Sequence, residues 1–305
     1  MPSVKVTLVG GAGGVGASTA FNLLLRSSFE VVLVDPRATH VQSHVMDLAE
    51  VLEQTRGGSV RAGGVGDVGD ADVVVICAAV PLTLNTSRLV YLADNARLVD
   101  EIAELLRPES VILLATNPVD PLVLRLQEQT GLPRTRVLGY TLNDSLRLRT
   151  GLGRALDVGP GSVDAWVIGE HGDSGVPLLD RVRVDGAPVQ LTNDQAEAAV
   201  SYLRTWYTRH VALDSGRSST WTSGLGIARM IAAIEHDSGE LWPASLVLEG
   251  EYGISGSAVG VPVTLGRSGA LEVQEWHLSP ADLAGLRVSA ELVRTAAASI
   301  GNRVA

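Results

Sequence analysis

The chain has 305 residues, 46% hydrophobic and 19% charged, a composition that supports a substantial core and excludes a disordered or repetitive architecture. A formal charge of −10, with no basic run, disfavours nucleic acid and anionic membrane surfaces as partners. One cysteine, Cys77, leaves no intrachain disulfide and no metal-ligand spacing, so no metal is expected and a reducing cytoplasm is the expected setting.

Residues 4–25 are apolar, but the glycine-rich GGAGGVG interrupts them, which argues against a signal peptide and a membrane span. VKVTLVG (4–10) predicts a buried strand and GVGASTAFNLLLR a helix; EVVLVD (30–35) predicts a second strand, followed by a helix around THVQSHVMDLAEVLEQ. ADVVVICAA (71–79) and SVILLAT (110–116) are further runs of strand length. Between them Leu89, Leu92, Ala96, Val99, Ala103 and Leu106 recur at three- and four-residue steps, as on one face of a helix. Strands separated by helices imply right-handed crossovers, hence a doubly wound parallel sheet of Rossmann type. Near residue 140 the pattern changes. VDAWVIGE and LDRVRVDGAPVQL read as strands able to pair antiparallel, and helices are expected over about 193–210 and 222–235. A last helix opens on Ser279 as N-cap, with Pro280 at its first position and Asp282 completing a capping box. The expected organisation is a dinucleotide-binding domain over 1–139 and a mixed α+β catalytic domain over 140–305.

Gly11, Gly13 and Gly16 form G-x-G-x-x-G between a strand and a helix, where the backbone can approach a pyrophosphate at the helix N-terminus. Asp35 ends the next strand, 19 residues after Gly16, where a carboxylate accepts both ribose hydroxyls of NAD and repels a 2′-phosphate. NAD is therefore expected over NADP, with Arg37 close to that carboxylate. VIGEHGDSGVP (167–177) places His171 between acids and glycines, as either an exposed turn residue or a proton donor. Asp144 and Arg147, in NDSLRLR, are spaced to share one helix face, either as a solvated ion pair or as part of a site.

In order along the chain, GGAGGVG, LVD, MDL, NTSRLVYLADN, ATNPVDPL, NDSLRLR, GEHGDSGVP and YGISGSAVGVPVTLGRSG resemble the lactate/malate dehydrogenase family over nearly the whole length, the last being more similar to the lactate branch. The resemblance implies an NAD-dependent (S)-2-hydroxyacid dehydrogenase. In it His171 is the acid–base residue, Asp144 holds its ring, Arg147 grips the substrate carboxylate, and Arg88 polarises the carbonyl when a loop closes. It further implies that Asn117 contacts substrate and nicotinamide ribose, that a cis bond precedes Pro118, and that Thr220, with Ser219 and Trp221, lies on the opposite pocket wall. The helix around SHVMDL resembles the dimer-forming helix of relatives, so a homodimer or homotetramer is expected.

The chain also departs from the family pattern. Leu84-Asn85 stands where relatives carry Pro-Gly. Leu82 stands where malate dehydrogenases have Arg and lactate dehydrogenases Gln, which points to a substrate with an apolar side chain, lactate or larger. Arg149 resembles part of the sugar-phosphate effector site of some bacterial lactate dehydrogenases, but Asp164 replaces its partner histidine and would repel phosphate. Malate dehydrogenase is the alternative enzyme, and a non-catalytic NAD-binding sensor the alternative of another class.

Overall fold

The computed structural model describes residues 4–26, 29–55, 57–80, 91–217 and 219–301. The first half alternates β1 (Val4–Val9), α1 (Gly14–Leu24), β2 (Phe29–Val34), α2 (Ala38–Leu52), β3 (Ser59–Ala62), β4 (Val73–Ile76), α3 (Leu92–Ala103), β5 (Val111–Leu114), α4 (Val119–Thr130) and β6 (Val137–Tyr140). Its six strands are parallel in the order β3-β2-β1-β4-β5-β6. The order reverses between β1 and β4, which opens a crevice beyond their carboxyl ends, the ligand position of doubly wound sheets.

Runs such as VVVI in β4 are buried throughout because both sheet faces are covered. Alternate residues serve the two faces: Val73 and Val75 join the core beneath α1, α2 and α7, whereas Val74 and Ile76 join the one beneath α3, α4 and α8.

The second half comprises α5 (Leu142–Leu156), β7 (Val163–Asp164), β8 (Val167–Ile168), β9 (Val176–Pro177), β10 (Arg183–Val184), β11 (Ala187–Pro188), α6 (Asn193–Val211), α7 (Thr220–Glu235), β12 (Leu241–Glu249), β13 (Ser255–Gly266), β14 (Gly269–Val273) and α8 (Pro280–Gly301). The expected antiparallel pairing occurs, β7 with β10, β10 with β11 and β8 with β9, but in two-residue strands. The run VDAWVIGE breaks at its centre because Arg149 takes the carbonyl of Ala165 and the amide of Leu178 takes that of Trp166.

A larger difference lies at the sheet edge. β12 pairs antiparallel with β6, Ala244 opposite Tyr140 and Ser245 opposite Gly139, and β13 and β14 follow, so one nine-stranded sheet runs through both halves. At α8 the Ser279 hydroxyl accepts the Asp282 amide (3.1 Å) and donates to its carboxylate (2.8 Å), a cap built from one hydroxyl. Among the described residues no helix is long and apolar enough to cross a membrane.

Candidate active site

β1 ends at Val9 and the chain turns through Gly10–Gly13 into α1. Gly10, which the motif spacing did not single out, has φ +91°, and a Cβ there would lie 2.4 Å from the Ala78 amide nitrogen on the neighbouring β4 loop. A Cβ on Gly16 would lie 2.6 Å from the Gly10 carbonyl oxygen, so any side chain there would push helix and loop apart. Gly11 and Gly13 lie in the turn itself. No side chain caps α1, and its first turn holds no acid, which suits an anion at its N-terminus.

Asp35 closes β2 beside this loop and accepts the Ala12 amide at 3.2 Å. Arg37 grips the same carboxylate with Nε and Nη2, both at 2.9 Å. Burial raises the Asp35 pKa, but the Arg37 bonds and charge and the Ala12 amide outweigh it, and the carboxyl stays below its ordinary range. Asn117, after β5, is joined to Pro118 by a cis peptide bond. Its Oδ1 is buried with no hydrogen-bond partner, an acceptor that a ribose hydroxyl fits. Asn95 of α3 braces this region, accepting the Val80 amide (2.8 Å) and donating to the Asn117 carbonyl (2.7 Å). An uncapped helix end, a buried carboxylate and an unmet acceptor fit a dinucleotide.

β6 leads directly into α5, whose first turns carry Asn143, Asp144 and Arg147. The two carboxylate oxygens of Asp144 are divided: Oδ2 lies 2.6 Å from Nδ1 of His171, and Oδ1 accepts Nη1 of Arg147 at 2.9 Å. His171 is 7% exposed and the Asp144 and Arg147 side chains 11% each, so this is neither an exposed turn histidine nor a solvated ion pair. An imidazole nitrogen facing a carboxylate carries its hydrogen there, which leaves Nε2 to exchange a proton.

Elements from across the fold hold the histidine turn. Gly169 exchanges backbone bonds with Gly260 of β13 (2.7 and 2.8 Å), and Arg204 of α6 donates to the carbonyls of Asp173 and Gly175. The His171 amide donates to Oδ2 of Asp120, in the first turn of α4, at 2.6 Å. Burial pushes the Asp120 carboxyl up to about 7, against the pull of this amide.

The cavity in front of His171 is lined by Asn117, Asn143, Arg147, Trp206, Tyr207, Ser219 and Ser223, among others, and Arg147 is the only arginine or lysine among its described lining residues. Trp206 and Tyr207 were not expected from the sequence, since nothing in the periodicity of α6 marks which face meets another element. Thr220 lies against α1, its Oγ1 within 2.9 Å of where a Cβ on Gly14 would stand, beside a neighbouring cavity. Ser219 and Ser223, one helical turn apart, line the cavity in front of His171. Arg88, Leu82 and the Leu84-Asn85 pair lie outside the described residues. Arg149 is paired with Asp164 at 3.3 Å, the acid that replaces the expected effector histidine. Cys77 donates its thiol to the Val9 carbonyl, and desolvation, then the charge of Asp35, push that thiol up to about 12, which rules it out as a nucleophile. The described residues contain no cluster of three or more potential metal-binding side chains.

Comparison with known proteins matches residues 4–139 to the lactate/malate dehydrogenase NAD binding domain and residues 141–300 to the lactate/malate dehydrogenase alpha/beta C-terminal domain. The chain is 35% identical to a malate dehydrogenase of Haloarcula marismortui over 281 residues, 90% of this chain and 92% of that one. It is 34% identical to L-lactate dehydrogenase 1 of Staphylococcus aureus over 301 residues, 95% of each. Among solved structures, the Cryptosporidium parvum lactate dehydrogenase with lactic acid and nicotinamide adenine dinucleotide superposes with a TM-score of 0.93 at 27% identity, covering 99% of both chains. The malate dehydrogenase of that organism gives 0.92 at 27% identity over 98% of this chain and 99% of that one. The chain thus belongs to the lactate/malate dehydrogenase family, NAD-dependent oxidoreductases of 2-hydroxy acids.

Proposed function

We propose that the protein interconverts a 2-keto acid with an apolar side chain, pyruvate or larger, and its (S)-2-hydroxy acid, with residues 1–139 serving the cofactor and 140–305 the substrate. The observation that carries the reading is the buried His171–Asp144–Arg147 constellation facing a cavity with one guanidinium among its described lining residues. One guanidinium matches one substrate carboxylate. Tyr207 adds an aromatic wall, and Leu82, on an ungapped count back from Arg88, offers nothing to a second carboxylate.

When bound, NADH would supply the hydride. Gly11, Gly13 and Gly16 would let the backbone reach its phosphates, Asp35 would take its ribose diol, and Asn117 its nicotinamide ribose. Arg147 holds the keto acid by its carboxylate, and Arg88 polarises the carbonyl. Nε2 of His171 gives its proton to the keto oxygen as the carbonyl is reduced, and Asp144 stabilises the imidazolium in the reverse direction. No metal enters this scheme.

The working form is proposed to be a homodimer or homotetramer. Phe21 of α1 and Trp221 and Leu225 of α7, the tryptophan 70% exposed, are apolar side chains that line one surface groove with His44 and Leu48 of α2, a face that a second copy of the chain would cover. Its mass in solution checks this.

Malate dehydrogenase is the second reading, favoured by the Haloarcula marismortui relative. NADH oxidation against 4-methyl-2-oxopentanoate, phenylpyruvate, pyruvate and oxaloacetate separates them. Activity is expected to be highest on the apolar acids, intermediate on pyruvate and lowest on oxaloacetate, and Leu82→Arg is expected to move preference toward oxaloacetate. A parent enzyme that prefers oxaloacetate overturns the apolar assignment, and inactivity on all four favours an NAD-binding sensor.

A further inference from the structure

Helix α6 contributes to the site in a way the reaction scheme leaves unused. Trp206 lines the cavity, and the central carbon of the Arg147 guanidinium lies over its indole, 4.1 Å from the ring centroid. On the next turn of α6 the His210 imidazole stacks on the same indole (centroids 4.8 Å apart, planes at 15°), and its Nε2 lies 2.9 Å from the Arg217 carbonyl oxygen. The indole is thereby held in a fixed orientation by its own helix and by the segment after it.

We propose that Trp206 is a positioning residue that fixes the plane of the Arg147 guanidinium and so sets affinity for the substrate carboxylate. This rests on the reading of Arg147 as the carboxylate-binding residue. The ion pair with Asp144 anchors the guanidinium through Nη1 at one edge, and the indole π-face beneath it attracts the cation and resists tilting of its plane. Two-point recognition of a carboxylate requires both oxygens to meet N–H groups in one plane, so a guanidinium that swings loses the second bond more readily than the first.

The test compares Trp206→Phe, which keeps a π-face, with Trp206→Leu, which keeps bulk without one, using pyruvate and 4-methyl-2-oxopentanoate as probes. Trp206→Leu is expected to raise KM about tenfold for both acids, since both present the same carboxylate, with kcat within about threefold and KM for NADH unchanged; Trp206→Phe is expected to restore most of the affinity. A rise confined to the larger acid makes Trp206 a side-chain wall and overturns the proposal. So does an unchanged KM in Trp206→Leu while Arg147→Lys raises it, or a parallel loss of kcat and NADH affinity in both variants. An unchanged KM in Arg147→Lys overturns instead the underlying reading of Arg147.

Discussion

Asp120 is 1% exposed, and its carboxyl titrates near 7 rather than at its ordinary 3.8, chiefly because burial penalises the charge. The folded pKa lies above the unfolded one. The native state therefore keeps the proton across a window from about 4 to about 7 in which the unfolded chain has lost it, and stability falls as pH rises through that window. At about 1.4 kcal/mol per unit, the full difference is about 4 kcal/mol, of which more than half, about 3 kcal/mol, falls between roughly pH 5 and pH 8. Asp120→Asn removes the titration while keeping an oxygen for the His171 amide. Urea unfolding of parent and variant across that range reads the contribution together with its coupling to the charges of His171 and Glu170. The parent-minus-variant stability is expected to shift toward the variant by about 3 kcal/mol from the acid to the alkaline end. Curves that stay parallel within about 0.5 kcal/mol would show that Asp120 titrates normally and refute the argument.

His171→Asn is expected to keep NADH binding, read by fluorescence, while kcat falls by about 10²–10⁴, and Asp144→Asn is expected to act in the same direction; a parental rate in the His171 variant removes the proton-donor assignment. The catalytic efficiency kcat/KM with NADH is expected to exceed that with NADPH by at least about tenfold, equivalent to about 1.4 kcal/mol of discrimination by Asp35. Arg37→Ala is expected to widen that ratio by only about two- to fivefold, because Arg37 is half exposed and such pairs contribute under about 1 kcal/mol. A parent enzyme that uses both cofactors equally excludes Asp35 as the selector.

The alternation of β1 to β6 was legible because each strand is an apolar run between helix patterns, and the turn at Gly11–Gly16 because its glycines are close in sequence. The pairing of His171 with Asp144 was legible only through resemblance: the two are 27 residues apart, and no local pattern states that β8 and α5 meet. Trp206 was missed for a related reason, since an aromatic residue on a half-exposed helix reads the same whether it covers core or a cation. Gly10 lacks a motif partner; its requirement comes from a strand more than 60 residues away.

The pairing of β6 with β12 bears on how the chain can be made and cut. Ile300, together with Ala296 and Ala297, packs into the core beneath α3 and α4, so α8 closes a layer belonging to the first half of the chain. During translation that layer stays open until α8 emerges, and the free edge of β6 waits for Ala244 and Ser245. A nascent chain halted between the halves would therefore carry both an unpaired strand edge and a bare apolar face, the two features by which partly made proteins associate wrongly.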